Sequence, residues 1–96
     1  MTLLHKSIKN WAKDDRPREK LVLKGRESLS DAELIAIILG SGTRTKSAVE
    51  LGREVLDSVN NDLNKLSQLS VKDLCKFKGI GPAKAISIVS AIELSR

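Results

Sequence analysis

The chain has 96 residues, of which 41% are hydrophobic and 30% charged, with a formal net charge of +5 and a pI near 9.6. That is the size and composition of one globular domain and excludes a disordered tail. One Trp, one Phe and no Tyr exclude a module that stacks single-stranded bases on exposed rings, and a lone cysteine excludes an internal disulfide and a zinc-finger spacing.

The N-terminal stretch MTLLHKSIKNW lacks the apolar run of a signal peptide or a membrane span. A cytoplasmic monomer with no membrane partner and no cofactor is the expectation. The charge is uneven. Residues 1–29 carry 8 basic and 4 acidic groups, residues 30–69 carry 4 and 6, and residues 70–96 carry 5 and 2. A basic C-terminal third suits a polyanionic partner, although an overall positive charge also serves solubility alone.

No segment alternates long enough for a strand, and the periodic signals are helical. The fold class predicted is all-α: a bundle of five or six short helices over 16–96, preceded by a partly ordered segment 1–15. Leu4, Ile8 and Trp11 share one helical face of that segment. Pro17 opens a helix over 17–24 and Gly25 closes it, with Leu21 and Val22 or Leu23 facing inward. Ser30-Asp31-Ala32-Glu33 is a capping box. The apolar run Leu34–Leu39 that follows predicts the most buried helix, ended by Gly40-Ser41-Gly42. A second capping box, Ser47 with Glu50, starts a stripe of Ala48, Leu51, Gly52, Val55, Leu56 and Val59. Asn60-Asn61 stops it, and Asp62 caps a short helix carrying Leu63 and Leu66. Ser70 with Asp73 starts a helix over about 71–77 that buries Val71, Leu74 and Phe77. Pro82 opens the last helix, with Ala85, Ile88, Val89 and Ile92 inward.

The turn Gly79-Ile80-Gly81 joins the last two helices. Glycines can take positive φ there, Ile80 can pin the turn to the core, and successive amides can form a concave anion site. The positive end of the Pro82 helix lies beside it, Lys84 stands in its first turn, and Lys76 and Lys78 flank the entry. Nothing in the loop reads a base edge, so phosphate contacts here would be sequence-independent and salt-sensitive. The plain alternative is a tight helix connector. Residues 70–94 resemble the helix-hairpin-helix motif of DNA-repair and recombination proteins. That resemblance implies Gly79, Ile80, Gly81 and Lys84 as contacts to double-stranded or branched DNA.

The outline Ser30…Leu34…Gly40-Ser41-Gly42…Lys46 echoes Ser70…Leu74…Gly79-Ile80-Gly81…Lys84. It fits a degenerate first hairpin, with Gly40, Gly42 and Lys46 as its counterparts, and it equally fits two helix pairs alike by chance. The stretch Gly40 to Ser47 also imitates a nucleotide-binding phosphate loop, but Thr45 stands where that loop needs glycine, and no magnesium-binding Asp follows. His5 has no ligand partner at metal spacing, Asp14-Asp15 suit a helix start, and Cys75 has no histidine near it in sequence. Neither a catalytic site nor a metal site is expected.

Arg16-Pro17-Arg18-Glu19-Lys20-Leu21, Leu29-Ser30-Asp31-Ala32-Glu33-Leu34-Ile35-Ala36, Gly42-Thr43, and Lys78 through Ala85 occur in that order. Together they resemble the N-terminal domain of the bacterial RadC family, from about residue 12 to the end. The resemblance implies a longer protein that continues into a JAB/MPN-like domain. The zinc signature of that domain, His-x-His…Asp, is absent from these residues, so no hydrolase chemistry carries over. The expected function is noncatalytic DNA binding that targets the C-terminal domain to DNA in repair or recombination. A protein-interaction or interdomain module of the same fold, using residues 34–39 or the acidic middle segment, is the alternative.

Overall fold

The computed structural model describes residues 16–96, and every regular element among them is helical. In chain order these are α1 (Pro17–Lys24), a 3₁₀ turn (Arg26–Ser28), α2 (Asp31–Leu39), α3 (Ala48–Ser58), α4 (Leu63–Leu66), α5 (Val71–Leu74) and α6 (Pro82–Ser95). This is the all-α bundle of short helices that the periodicity predicts. Segment 1–15, with the Leu4/Ile8/Trp11 face, His5 and the Asp14-Asp15 pair, lies outside the described residues.

Helix starts follow local chemistry. Ser30, Ser47 and Ser70 each accept from the amide three residues on, while Glu33, Glu50 and Asp73 accept in return from the serine amides. Asp62 accepts from the amides of Asn64 and Lys65. Two of the four orphan amides of α2, α3 and α5 are thereby answered by side chains. α3 ends where Asn60 and Asn61 take positive φ, 55° and 60°, a conformation asparagine tolerates better than most residues.

α2 and α3 form the principal helix pair, and α6 and α1 pack against α2. At the α2–α3 crossing, Gly52 lets the backbones close up, because a Cβ there would stand 2.8 Å from the Ala32 carbonyl oxygen. Leu51, Val55, Leu74 and Ile88 are fully buried at the centre. The inward face predicted for α6 is correct: Ala85 and Ile88 are buried, with Val89 and Ile92 packed against the core.

Four details differ from the sequence expectation. α3, with six buried residues, is more deeply covered than α2, with four. Leu34 faces outward, because α2 is covered by neighbours on only part of its circumference. Val22 and Leu23 are both exposed, and α1 docks through Pro17, Lys20 and Leu21, one face at i, i+3 and i+4. Lys20 completes that docking with an ion pair to Glu33 of α2 at 3.1 Å. α5 is also shorter than expected. After Leu74 the backbone tightens to i−3 hydrogen bonds, from the Lys76 amide to Asp73 O and from the Phe77 amide to Leu74 O.

Candidate nucleic-acid interface

The turn between α5 and α6 takes its shape from two residues. Gly79 adopts φ +100°, which side-chain-bearing residues rarely reach. Ile80 points into the core at 3% exposure. Its amide donates to the Phe77 carbonyl at 3.1 Å, so one of the three amides expected to face an anion closes the turn instead. Gly81 is the N-cap of α6 with φ −90° and ψ −177°. That is extended backbone open to any residue, so the positive φ foreseen for it does not occur. No backbone carbonyl among the described residues accepts from the amides of Gly79, Gly81, Ala83 or Lys84.

The loop between α2 and α3 lies directly against this turn. A Cβ on Gly79 would stand 2.4 Å from the Thr43 methyl carbon. The Lys84 ammonium donates to the Ser41 carbonyl at 2.9 Å and the Ser41 hydroxyl at 3.2 Å, and reaches the Gly79 carbonyl at 3.5 Å. Lys84 therefore braces one loop against the other, a role its sequence position does not announce. The other lysines divide. Lys76 lies 3.8 Å from Asp73, whereas Lys78 is exposed and pairs with no described residue. Hydrogen bonds from the Ser70 amide and hydroxyl hold the Asp73 carboxyl below its ordinary range, with smaller help from Lys76 and Lys72.

The α2–α3 loop is occupied with itself. Gly40 closes α2 at φ 80°. The Thr43 amide donates to Lys46 O at 2.7 Å, and the Thr43 hydroxyl accepts from the amides of Thr45 and Lys46. The Lys46 ammonium pairs with Glu54 of α3. Gly42 has no room for a side chain: a Cβ would stand 2.1 Å from Lys46 O. The loop that holds Gly40, Gly42 and Lys46 thus meets the second turn through Ser41 and Thr43, as a strut. The helical conformation of residues 31–39 also removes the strand that a nucleotide-binding phosphate loop requires.

Sequence reasoning missed Ser41 and Thr43. The Lys84–Ser41 contact spans 43 residues, and no local pattern encodes it. The only trace is the echo of the two serine–glycine blocks, which places the loops in analogous positions. Among the described residues no cluster of three His, Cys, Asp or Glu could hold a metal ion. None of their helices is long and apolar enough to cross a membrane.

The class defined so far is a small all-α domain whose two inter-helix loops meet at one end. The profile of the UPF0758 N-terminal family matches residues 8–86. The chain belongs to that family, which is the RadC family. A UPF0758 protein of Flavobacterium johnsoniae is 61% identical over 92 residues, covering 96% of this chain and 40% of the relative. Those of Salinibacter ruber and Porphyromonas gingivalis are 48% and 43% identical, again over 40% of their lengths. The chain spans about two fifths of the curated relatives it matches. No solved structure matches it.

Proposed function

We propose that this domain binds duplex or branched DNA without regard to sequence, by seating a backbone phosphate on the start of α6, and that it does no chemistry itself. One observation carries this reading: Gly81. Among the described helices, α2 to α5 begin on a Ser or Asp whose side chain answers the first amides, whereas α1 and α6 open on a proline with no side-chain cap. α6 is the longest of them, yet it begins on an exposed glycine with no side-chain cap. Nothing inside the fold demands that glycine. Its φ is ordinary, and a Cβ would meet nothing within 4 Å. A missing side chain there favours close approach from outside, toward the amides of Gly81, Ala83 and Lys84.

The phosphate would sit on backbone hydrogens and the helix dipole, with Lys78 as the mobile cation, while Lys84 keeps the surface rigid and adds field. Few contacts make for weak binding, about 10⁻⁴–10⁻⁶ M at physiological salt. In a longer polypeptide such a module would direct its companion domain to DNA in repair or recombination.

The test is a titration with short duplex DNA at two salt concentrations, for the wild-type chain and Gly81→Asp. An aspartate N-cap would supply α6 with its own anion. Expected are salt-weakened binding by the wild type, with amide shifts at residues 79–84, and loss of binding in a correctly folded Gly81→Asp. Equal binding by the two proteins, or wild-type binding indifferent to salt, would overturn the assignment.

A further inference from the structure

α6 runs away from the glycine turn for 14 residues, about 20 Å at 1.5 Å per residue. Its far end is unfinished in a different way. Helices buried on one side are polar on the other. Here Ile88 and Ile92 face the core, yet Leu94 in the last turn stands 88% exposed. Beside the last turn opens a cleft of about 690 Å³ whose walls include Leu63, Leu66 and Ile92 together with the polar Asn64, Gln68 and Arg96. Leu63 forms one wall and is itself 53% exposed. It occupies an outer position of α4.

We propose that this cleft receives the polypeptide that continues beyond Arg96, so that the C-terminal half of α6 is the fixed root of an interdomain contact. Two facts select that occupant. The curated relatives are about two and a half times as long as the stretch they share with this chain, and the family profile that matches is an N-terminal one. The chain also leaves the domain inside the cleft, since Ser95 and Arg96 are among its walls. A segment tethered at that point has a high effective concentration there, so a small apolar contact suffices to hold it. Asn64, Gln68 and Arg96 give the cleft a polar rim around Leu63, Leu66 and Ile92, while the Ser67 and Ser95 hydroxyls donate to the Asn64 and Ile92 carbonyls. The fitting segment carries one or two aliphatic side chains beside a carboxylate or backbone carbonyls. The glycine turn at the other end of α6 stays uncovered, so this contact holds whether or not that turn binds DNA.

The test uses the longer polypeptide, continued beyond Arg96 as in the curated relatives, with Cys75→Ser as background. Single cysteines are placed at Leu63→Cys, in the cleft wall, and at Lys72→Cys, an exposed position on α5. Their rates of maleimide labelling are compared under native conditions and after denaturation. The expected result is labelling at 63 at least tenfold slower than at 72 in the native protein, with equal rates once unfolded. Comparable native rates at the two positions would overturn the proposal. Equal suppression at both would overturn it too, because shielding would then be general rather than seated in the cleft.

Discussion

The α2–α3 loop and the α5–α6 loop each hold two glycines one residue apart, and the four glycines answer to different demands. In the first loop, Gly40 turns the chain at positive φ, and Gly42 makes way for the backbone of Lys46 to Ala48. In the second, Gly79 turns the chain and makes way for Thr43, whereas Gly81 does neither. Three of the four are explained by the inside of the molecule. The fourth faces out, and it stands at the start of the longest of the described helices. Similar spacing in sequence thus hides a division of labour: one loop braces, the other presents.

Substitution of each glycine by alanine breaks this contrast most directly. Gly42→Ala should be the most damaging, because its Cβ would collide with backbone atoms that have nowhere to go. A loss of about 3 kcal/mol or more is expected, at the upper end of overpacking, read as a lowered urea midpoint. Gly79→Ala should cost less, about 1–3 kcal/mol. Its neighbour is a methyl group, so removing that methyl with Thr43→Ser should recover part of the loss. The strain of φ +100° would remain. Gly81→Ala should leave stability within about 0.5 kcal/mol and weaken only DNA binding. A large stability loss there would mean that the outward glycine has an internal duty after all.

Next in size is the link between the loops. Lys84→Met keeps the stem and removes the ammonium that holds Ser41 and Gly79. Because the contact is largely exposed, a cost of about 1 kcal/mol is expected. The telling readout is local. Hydrogen exchange of the Thr43 amide, which is bonded to Lys46 O, should accelerate even though the substitution lies on α6. Unchanged exchange would show that the first loop holds itself and that Lys84 merely rests on it.

What could be read from sequence sorts by range. Every capping residue named from sequence between Ser30 and Ser70 does cap its helix, because a cap needs only the three residues after it. The stripe on α3 was legible for the same reason, a periodicity carried within one helix. The choice among Leu21, Val22 and Leu23 was not, since it depends on where Glu33 waits to receive Lys20. Nor was the task of Lys84. Its position in the first turn of α6 is local information and points to an anion, but its actual partner belongs to another loop. The candidate phosphate seat was legible as a glycine pair. Which glycine is outward, and that the Ile80 amide is already used, required the folded chain.

The smallest effect separates a helix that carries its own anion from one that does not. Burial pushes the Glu33 carboxyl up. Hydrogen bonds from the Ser30 amide and the Lys20 ammonium, helped by the Ser30 hydroxyl and the Lys20 charge, outweigh that burial and hold it below its ordinary value of 4.5. A carboxylate depressed in the folded state contributes stability that is whole above its unfolded pKa and is lost as pH falls through the folded one. Wild-type stability should therefore fall more steeply than that of Glu33→Gln between about pH 5 and about pH 3, because glutamine can still accept from the Ser30 amide but has no charge to lose. The two curves, taken from urea midpoints at each pH, should converge toward the acid end. Curves that stay parallel would mean the Glu33 charge adds nothing at the start of α2. The uncapped start of α6 would then lose its significance as well, since a helix N-terminus indifferent to its own carboxylate gives no reason to expect a borrowed phosphate.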